Sequence, residues 1–492
     1  MRSILVANRG EIALRVIRSC HDLGLRAVAV YSDIDRDALH VRAADAAYPI
    51  GPAAPRESYL NAAGLIEVAK RSGCDAVHPG YGFLSENADF AQAVGEAGLI
   101  FVGPPASVQR ALGEKTAARQ LAREAGVPVA EGTEPLRDVS AAKDAARRIG
   151  YPVLLKPAAG GGGKGMRRVT REEDLAAAWR ASTGEAMTAF GQPAVYLERE
   201  IANPRHVEMQ ILADARGQVV WLGERDCSIQ RRHQKLIEET PAPTVDDGLR
   251  AKLGDAAVRI ARKAGYVNAG TVEFLVDQTG GFYFLEVNTR LQVEHPVTES
   301  VTGLDLVALQ LRIASGEPLP FGQDGIVRTG AAIECRITAE DSFNGFLPAG
   351  GVLSLVREPS GPGIRVDSAL FAGMTVPTEY DPLLAKVIAH GRDRDEAIAR
   401  MRRALTEMRV AGIPTALPFH RFALSTPEFL TGRYDTGFLA RWTEREPEDL
   451  ESGRLVAAAL AAVLAVRSRA EHAREPVRDT AWAQVGREEA LR

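Results

Sequence analysis

Apolar residues in the first hundred positions come as short runs separated by longer mixed stretches. SILVA (3–7), RAVAVYS (26–32), DAVHPG (75–80) and LIFVGP (99–104) are runs of strand length. Residues 11–23, between the first two, form a helix ending at Gly24. Strand and helix in alternation predict a parallel α/β domain. Asp33 after the second strand invites a dinucleotide reading, but the loop NRGE has one glycine where that fingerprint needs three. NAD binding is rejected.

A helix over 113–124 leads into a second region. There YPVLLKPA and GMRRV are strands flanking a glycine run, and AVYLEREI, HVEMQIL and VVWLGER follow as strands. A helix covers 247–264, and TVEFLV and FYFLEVN come after it. Residues 330–440 are again mixed α/β, with strands AAIECRI, GVLSLVR and LLAKVIAHG and a helix over 394–408. Beyond 445 the chain is polar, then apolar, then polar. VAAALAAVLAV (456–466) is far shorter than the ~20 residues that cross a bilayer. It is apolar around most of a helix, whereas a surface helix is one-sided. The tail 446–492 is therefore expected to dock on a partner protein of the complex or on a second protomer.

LEVNTRLQVEHPVTE (285–299) alternates strictly, and the polar set is Glu286, Asn288, Arg290, Gln292 and Glu294. Read as one strand, it carries an unusual face of two carboxylates, two amides and a guanidinium. The polar gap DQTGG after TVEFLV signals a hairpin turn. A turn centred near 279–280 sets Glu273 opposite Glu286. Like charges directly opposed are destabilising, so the pair wants a cation. Oxygen ligands, with Asn288 one step along, suit Mg²⁺ or Mn²⁺ rather than zinc. The plain alternative is two glutamates on a wet hairpin.

GGGGKG (160–165) is not a Walker loop, because Gly165 follows Lys164 and a strand comes next. It reads as a mobile hairpin tip whose backbone N–H groups can close over phosphates, with Lys156 and Lys164 adding charge. Flap, lysines and paired glutamates together are the equipment of phosphoryl transfer. Only nine of the 60 basic residues are lysine, and Lys115, Lys156, Lys164 and Lys235 all fall in the segments singled out for function. A net charge of −4 leaves no footprint for nucleic acid. The four cysteines form no CxxC pair, which argues for reduced thiols. MRSILVANRG has too short an apolar run for a signal peptide. A cytoplasmic protein is expected.

HPGYGFLSEN, KPAAGGGGKGM, NPRHVEMQIL, ERDCSIQRRHQKLIEETPAP and EVNTRLQVEHPVTE occur in that order. Together they resemble biotin carboxylase, the ATP-grasp component of acetyl-CoA, propionyl-CoA, methylcrotonyl-CoA and pyruvate carboxylases. The likeness runs from about residue 3 to about 441. It implies a multi-domain α/β fold: a Rossmann-like domain (1–112), an ATP-grasp domain (113–328, mobile lid about 130–202), a C-terminal mixed α/β domain (329–445) and a partly helical tail (446–492).

The resemblance also implies roles. Lys115, Lys156, Gly161, Gly162, Gly163, Lys164, Gly165 and Met166 would bind ATP. Glu198, Arg199, Ile201 and Leu275 would line the adenine pocket, with His206, Gln230 and His233 near the ribose. Glu273 and Glu286 would hold the metal, supported by Asn288. Lys235, Arg290, Gln292 and the Val293 backbone would hold bicarbonate. Glu294 would be the general base, its own pKa not needing to move far, and Arg336 would stabilise the biotin enolate. Tyr81 and Gly82 would lie near the biotin ring. Bicarbonate, deprotonated by Glu294, would attack ATP to give carboxyphosphate and ADP. Carboxyphosphate would then release CO₂ beside biotin, and the freed phosphate would take the ureido proton. Without the resemblance, His206 and His233 read as structural histidines, and Arg336 as a partner of Glu334 or Asp341.

No Met-Lys-Met occurs, so biotin is expected on a separate biotin carboxyl carrier protein or a missing domain. Carboxyltransferase subunits and a homodimer are the other expected partners. The competing readings are a biotin carboxylase component of a pyruvate carboxylase, another bicarbonate-using ATP-grasp ligase, and a silent ATP-sensing scaffold.

Overall fold

Ser3–Val6, Arg26–Tyr31, Ala46–Pro49, Ala76–His78 and Ile100–Phe101 form one parallel sheet, in spatial order third, second, first, fourth, fifth. Parallel neighbours need crossovers, and helices Gly10–Asp22, Ala62–Arg71 and Ala88–Glu96 supply three of them. Successive residues feed different cores. Ile4, Val6, Ala27 and Ala29 pack on one side, while Leu5, Val28 and Val30 pack on the other. A sheet covered on both faces explains why these strands read as continuous apolar runs. The computed structural model describes residues 1–158, 165–443 and 460–466.

Val153–Pro157 pairs antiparallel with Arg167–Val169 and with Val195–Arg199. The glycine run therefore does join two paired strands, as expected. Gly161, Gly162, Gly163 and Lys164 lie outside the described residues. Gly165 has φ +74°, and a Cβ there would stand 2.7 Å from Pro157 Cγ, so only glycine fits. Met166 follows it, directly before the second strand of the hairpin.

An eight-stranded sheet carries the chemistry. Its order is Phe282–Asn288, Asn268–Val276, Arg205–Ala213, Val219–Arg231, Gln234–Thr240, Ala331–Thr338, Leu383–Gly391 and Ile364–Ser368. It runs unbroken through residues 205–391, because Gln234–Thr240 pairs with Ala331–Thr338. Helix Asp247–Ala264 has the expected bounds. The Asp246 carboxylate accepts from Leu249 N at 2.7 Å to cap its start, and Gly265 ends it in the left-handed conformation. Leu253, Ala257 and Ile260 from this helix join Val207, Met209, Val272 and Phe274 of the sheet in one core.

Three sequence expectations change. The helix expected over 113–124 is Lys115–Glu124, and a separate helix not foreseen, Ala106–Gly113, precedes it across the extended residue Glu114. GVLSLVR is two short strands, Gly351–Val352 and Leu355–Arg357, with different partners. The alternating stretch after Leu285 is not one strand: the ladder ends at Asn288, and helix His295–Thr302 begins with Pro296 in its first turn. Alternation misleads here because members of the polar set are buried along with members of the apolar set. Gln292 and Glu294 are enclosed, as Leu291 is.

The chain divides into two units, with the boundary between Leu439 and Ala440. Of the predicted tail helix, 460–466 is helical, with Leu460, Val463 and Leu464 exposed; the remainder lies outside the described residues. Among the described residues, no helix is long and apolar enough to cross a membrane.

Candidate active site

The turn after Asn268–Val276 is centred on Thr279, not between 279 and 280. Asp277 N donates to Gly281 O at 2.8 Å, and Val276 pairs with Phe282. Continued regularly, that register would set Glu273 against Leu285. A bulge intervenes between the Phe274–Phe284 and Glu273–Glu286 pairs, so the two glutamates do face each other, by a different route from the one expected. Asn288 Nδ2 donates to Glu273 Oε1 at 2.8 Å. His206, on the neighbouring strand, brings Nε2 to 2.8 Å from Glu273 Oε2.

The two carboxyls differ electrically. Burial pushes Glu273 up, but Lys235 and His206 outweigh it and hold this carboxyl well below the usual range. Glu286 is raised by burial and by the charge on Glu273, against the pull of Lys115. A divalent cation fits this pair: two opposed carboxylates form a hard oxygen donor set, with Asn288 beside them donating to Glu273.

Beside the pair stands an excess of positive charge. Burial lowers the Lys115 ammonium despite Glu286. His233 is lowered by burial and then by Lys156, His206 and Lys115. Arg232 and His233 form the tip between Val219–Arg231 and Gln234–Thr240, both with positive φ (48° and 69°), a strained turn for residues other than glycine. Gln230 precedes the tip and pairs with Lys235. Glu198 is buried between Lys156 and Arg119, both of which donate to it. Arg199 is held outward by Glu131 at 2.6 Å. Ile201 lines a cleft of about 330 Å³ shared with Asp277 and Thr279. Leu275, half-buried, pairs with His206 across the sheet.

Lys235 is the centre of the second half of the site. Its Nζ donates to Glu208 Oε2 at 2.5 Å, Glu294 Oε1 at 2.7 Å and Glu273 Oε1 at 2.8 Å. Burial opposes the ammonium, but the three carboxylates raise it well above the usual lysine value. Arg336 Nη2 donates to Glu294 Oε2 at 2.8 Å and its Nε to Glu238 Oε1 at 2.5 Å. Neither Glu334 nor Asp341 is its hydrogen-bond partner. Glu294 thus sits between two cations, which overcome its burial and hold it well below the usual carboxylate range. The role expected of it needs no large shift; in this chain both cations point at it and lower it. Arg290 is bound to Glu86 at 2.9 Å and contacts Gln292 Oε1 and Asn288 Oδ1, each at 3.2 Å. Gln292 reaches Glu273 Oε1 at 3.4 Å. The loop at 79–82 is fastened by Asn8 Nδ2, which donates to Pro79 O and Tyr81 O, and Gly82 takes φ +67° there.

Sequence reasoning missed Glu208, Arg225 and Glu238. Arg225 is fully buried and donates to Glu208, Gln210, Thr271 and Thr298, so it backs the Lys235 cluster from beneath. The signal was available: each is a charged residue inside a buried strand. Glu11 was missed too. Its carboxyl is pushed up to about 7 by burial, against the attraction of Lys386. An unfolded glutamate titrates near ~4.3, so between that value and about pH 7 the folded chain binds more protons. The stability this group contributes is full below the unfolded pKa and is lost as pH rises through about 7. Glu11→Gln removes that loss. Thermal melts across the neutral range should show the variant gaining roughly 1–3 kcal/mol on the wild type as pH rises; parallel curves would contradict this.

Comparison with known proteins agrees along the chain. Residues 1–108 match the family model described as the biotin carboxylase N-terminal domain. Residues 114–321 match the carbamoyl-phosphate synthase L chain ATP binding domain, and 334–441 the biotin carboxylase C-terminal domain. Biotin carboxylase 1 of Bacillus subtilis is 51% identical over 441 residues, covering 89% of this chain and 98% of the relative. A pyruvate carboxylase component of Methanothermobacter thermautotrophicus is 48% identical, with 92% of each chain covered. The Campylobacter jejuni biotin carboxylase–β,γ-ATP complex superposes with a TM-score of 0.87 at 47% identity, covering 89% of this chain and 98% of that one. The biotin carboxylase domain dimer of Hydrogenobacter thermophilus 2-oxoglutarate carboxylase, solved with MgADP, ADP and bicarbonate, has a TM-score of 0.87 at 45% identity, covering 89% and 97%. Three domain matches in sequence order over residues 1–441, and about half of all aligned positions shared with enzymes of that name, make this chain a member of the biotin carboxylase family.

Proposed function

We propose that this ATP-dependent ligase carboxylates biotin by activating bicarbonate on a ledge held together by Lys235. The observation that carries the reading is that one ammonium touches both Glu273, on the candidate metal-binding hairpin, and Glu294, the candidate base. Nucleotide and bicarbonate would therefore meet at one charged centre.

Glu273 and Glu286, with Asn288, would hold Mg²⁺ or Mn²⁺, which when bound neutralises phosphate charge. Lys115, Lys156 and the residue 160–165 flap draw the triphosphate into the cationic half. Arg290, Gln292 and Lys235 hold bicarbonate against Glu294. An entering anion shares Lys235 and Arg336 with Glu294, so the Glu294 pKa rises back toward a value where it accepts a proton. Glu294 then takes the bicarbonate proton, and the freed oxygen attacks the γ-phosphorus as ADP leaves, giving carboxyphosphate. Carboxyphosphate then breaks into CO₂ and inorganic phosphate, and that phosphate takes the ureido N–H proton. Arg336 turns to the ureido oxygen of biotin, where its fixed donors meet the charge that develops before the deprotonated nitrogen attacks CO₂.

Biotin carboxylases work with a biotin carrier and a carboxyltransferase, and the Hydrogenobacter domain is a dimer. We take this chain to pair likewise and to receive biotin from a carrier protein in the cytoplasm. The final acceptor belongs to the carboxyltransferase, in keeping with similar likeness to biotin carboxylases and to a pyruvate carboxylase component.

Phosphate release by the purified chain tests the reading. With MgATP and bicarbonate, free biotin should raise the rate several-fold, and omitting metal or bicarbonate should abolish it. Hydrolysis indifferent to biotin would favour another ATP-grasp ligase.

A further inference from the structure

Lys386 belongs to strand Leu383–Gly391, opposite Arg336 on one side and Asp367 on the other. It is wholly buried. Its Nζ lies 3.3 Å from Glu11 Oε1 and 3.7 Å from Asp367 Oδ2. A buried ammonium needs such partners. Yet its shortest polar contact goes elsewhere: Nζ donates to the Val293 carbonyl at 2.9 Å. The ring of Tyr81 is also near, with its centroid 5.8 Å from Nζ.

That choice of partner is informative. The Val293 carbonyl belongs to the peptide that joins Val293 to Glu294, so fixing its direction fixes the backbone from which the Glu294 side chain departs. Residues 289–294 have no ladder of their own to hold them, because the strand ends at Asn288. Glu294 then serves as the N-cap of helix His295–Thr302 without a side-chain capping bond, which leaves its carboxylate to Lys235 and Arg336. Glu11 comes from the first helix of the parallel-sheet domain, and Asp367 from the far edge of the large sheet. Both brace the ammonium from behind. Lysine suits this post, in a chain with only nine lysines, because a compact ammonium can face several oxygens from one point.

We propose that Lys386 is a positioning residue for carboxylation, clamping the Val293–Glu294 peptide and the Tyr81 wall so that bicarbonate and biotin meet Glu294 in the right geometry. This rests on the function proposed for the site.

The test uses the full chain with two variants. Lys386→Met is close to lysine in length but cannot donate. Lys386→Met/Glu11→Gln also neutralises the carboxyl left behind, while Asp367 keeps its paired bonds from Arg365, both 2.8 Å. In Lys386→Met, KM for bicarbonate and biotin should rise at least tenfold, with KM for ATP within twofold of wild type. The double variant should recover thermal stability but keep the raised KM values. Recovery of both would overturn the proposal, since Lys386 would then only balance charge. An equal rise in KM for ATP would do the same. If Lys386→Met does not fold, the double variant decides. Wild-type enzyme lacking biotin-stimulated hydrolysis would sink the function itself, whereas an active wild type with unchanged variant KM values would sink this inference alone.

Discussion

Lys235→Met is expected to lower bicarbonate-dependent ATP hydrolysis by about 10³-fold or more and to cost about 3–5 kcal/mol of stability. The ammonium faces Glu208, Glu273 and Glu294, and all three are buried. Without it, Glu208 keeps Arg225 and Glu294 keeps Arg336, but among the described residues Glu273 keeps only His206 as an ion-pair partner. Like charges at this spacing in a weakly screened interior push at least one carboxyl to protonate. Both halves of the proposed site then suffer, because one of the three is a candidate metal ligand and another the candidate base. Lys235→Arg should not rescue, since a planar fork cannot meet three carboxylates converging on one point. Phosphate release and urea melts of the same preparations check both effects; a variant with wild-type turnover would remove Lys235 from the site.

Arg336→Ser acts more selectively. Carboxylation of free biotin should fall about 10²–10³-fold, as when a preorganised oxyanion donor is removed, while KM for ATP stays within about twofold. Arg336 donates to the side chains of Glu238 and Glu294, and neither lies on the candidate metal-binding hairpin. A pH signature should accompany the loss. Glu294 is held low by Lys235 and Arg336. Removing one cation lets its pKa rise, so the acidic limb of the kcat/KM profile should move to higher pH. Equal loss of ATP binding and carboxylation, or an unmoved acidic limb, would show that Arg336 supports the fold rather than the chemistry.

Much of the plan was legible in advance. The apolar runs of the first domain marked its strands because a parallel sheet covered on both faces leaves no polar face to confuse the reading. The glutamates at 273 and 286 could be paired because a hairpin is local and its turn residues set the register. Even there the reading reached the pairing without the bulge that produces it. Beyond Asn288 it failed. A buried loop with alternating polar side chains looks like a strand when only periodicity is consulted.

The amino-acid sequence by itself determined which residue types were available: hard oxygen donors on a hairpin, a glycine flap, sparing lysines kept at particular places, and the ordered motifs of a known family. Only the tertiary structure decided how these charges are partnered. Lys235 bridging three carboxylates, Arg225 beneath them, Arg336 turned to Glu238 and Glu294, and Lys386 reaching Val293 all join residues well separated along the chain, from 15 positions for Arg225 and Gln210 to 98 for Arg336 and Glu238. Ionic contacts of this kind leave no period in a sequence. They arise from the order and register of strands in one large sheet, and burial there makes each charge depend on the partners that the fold brings to it.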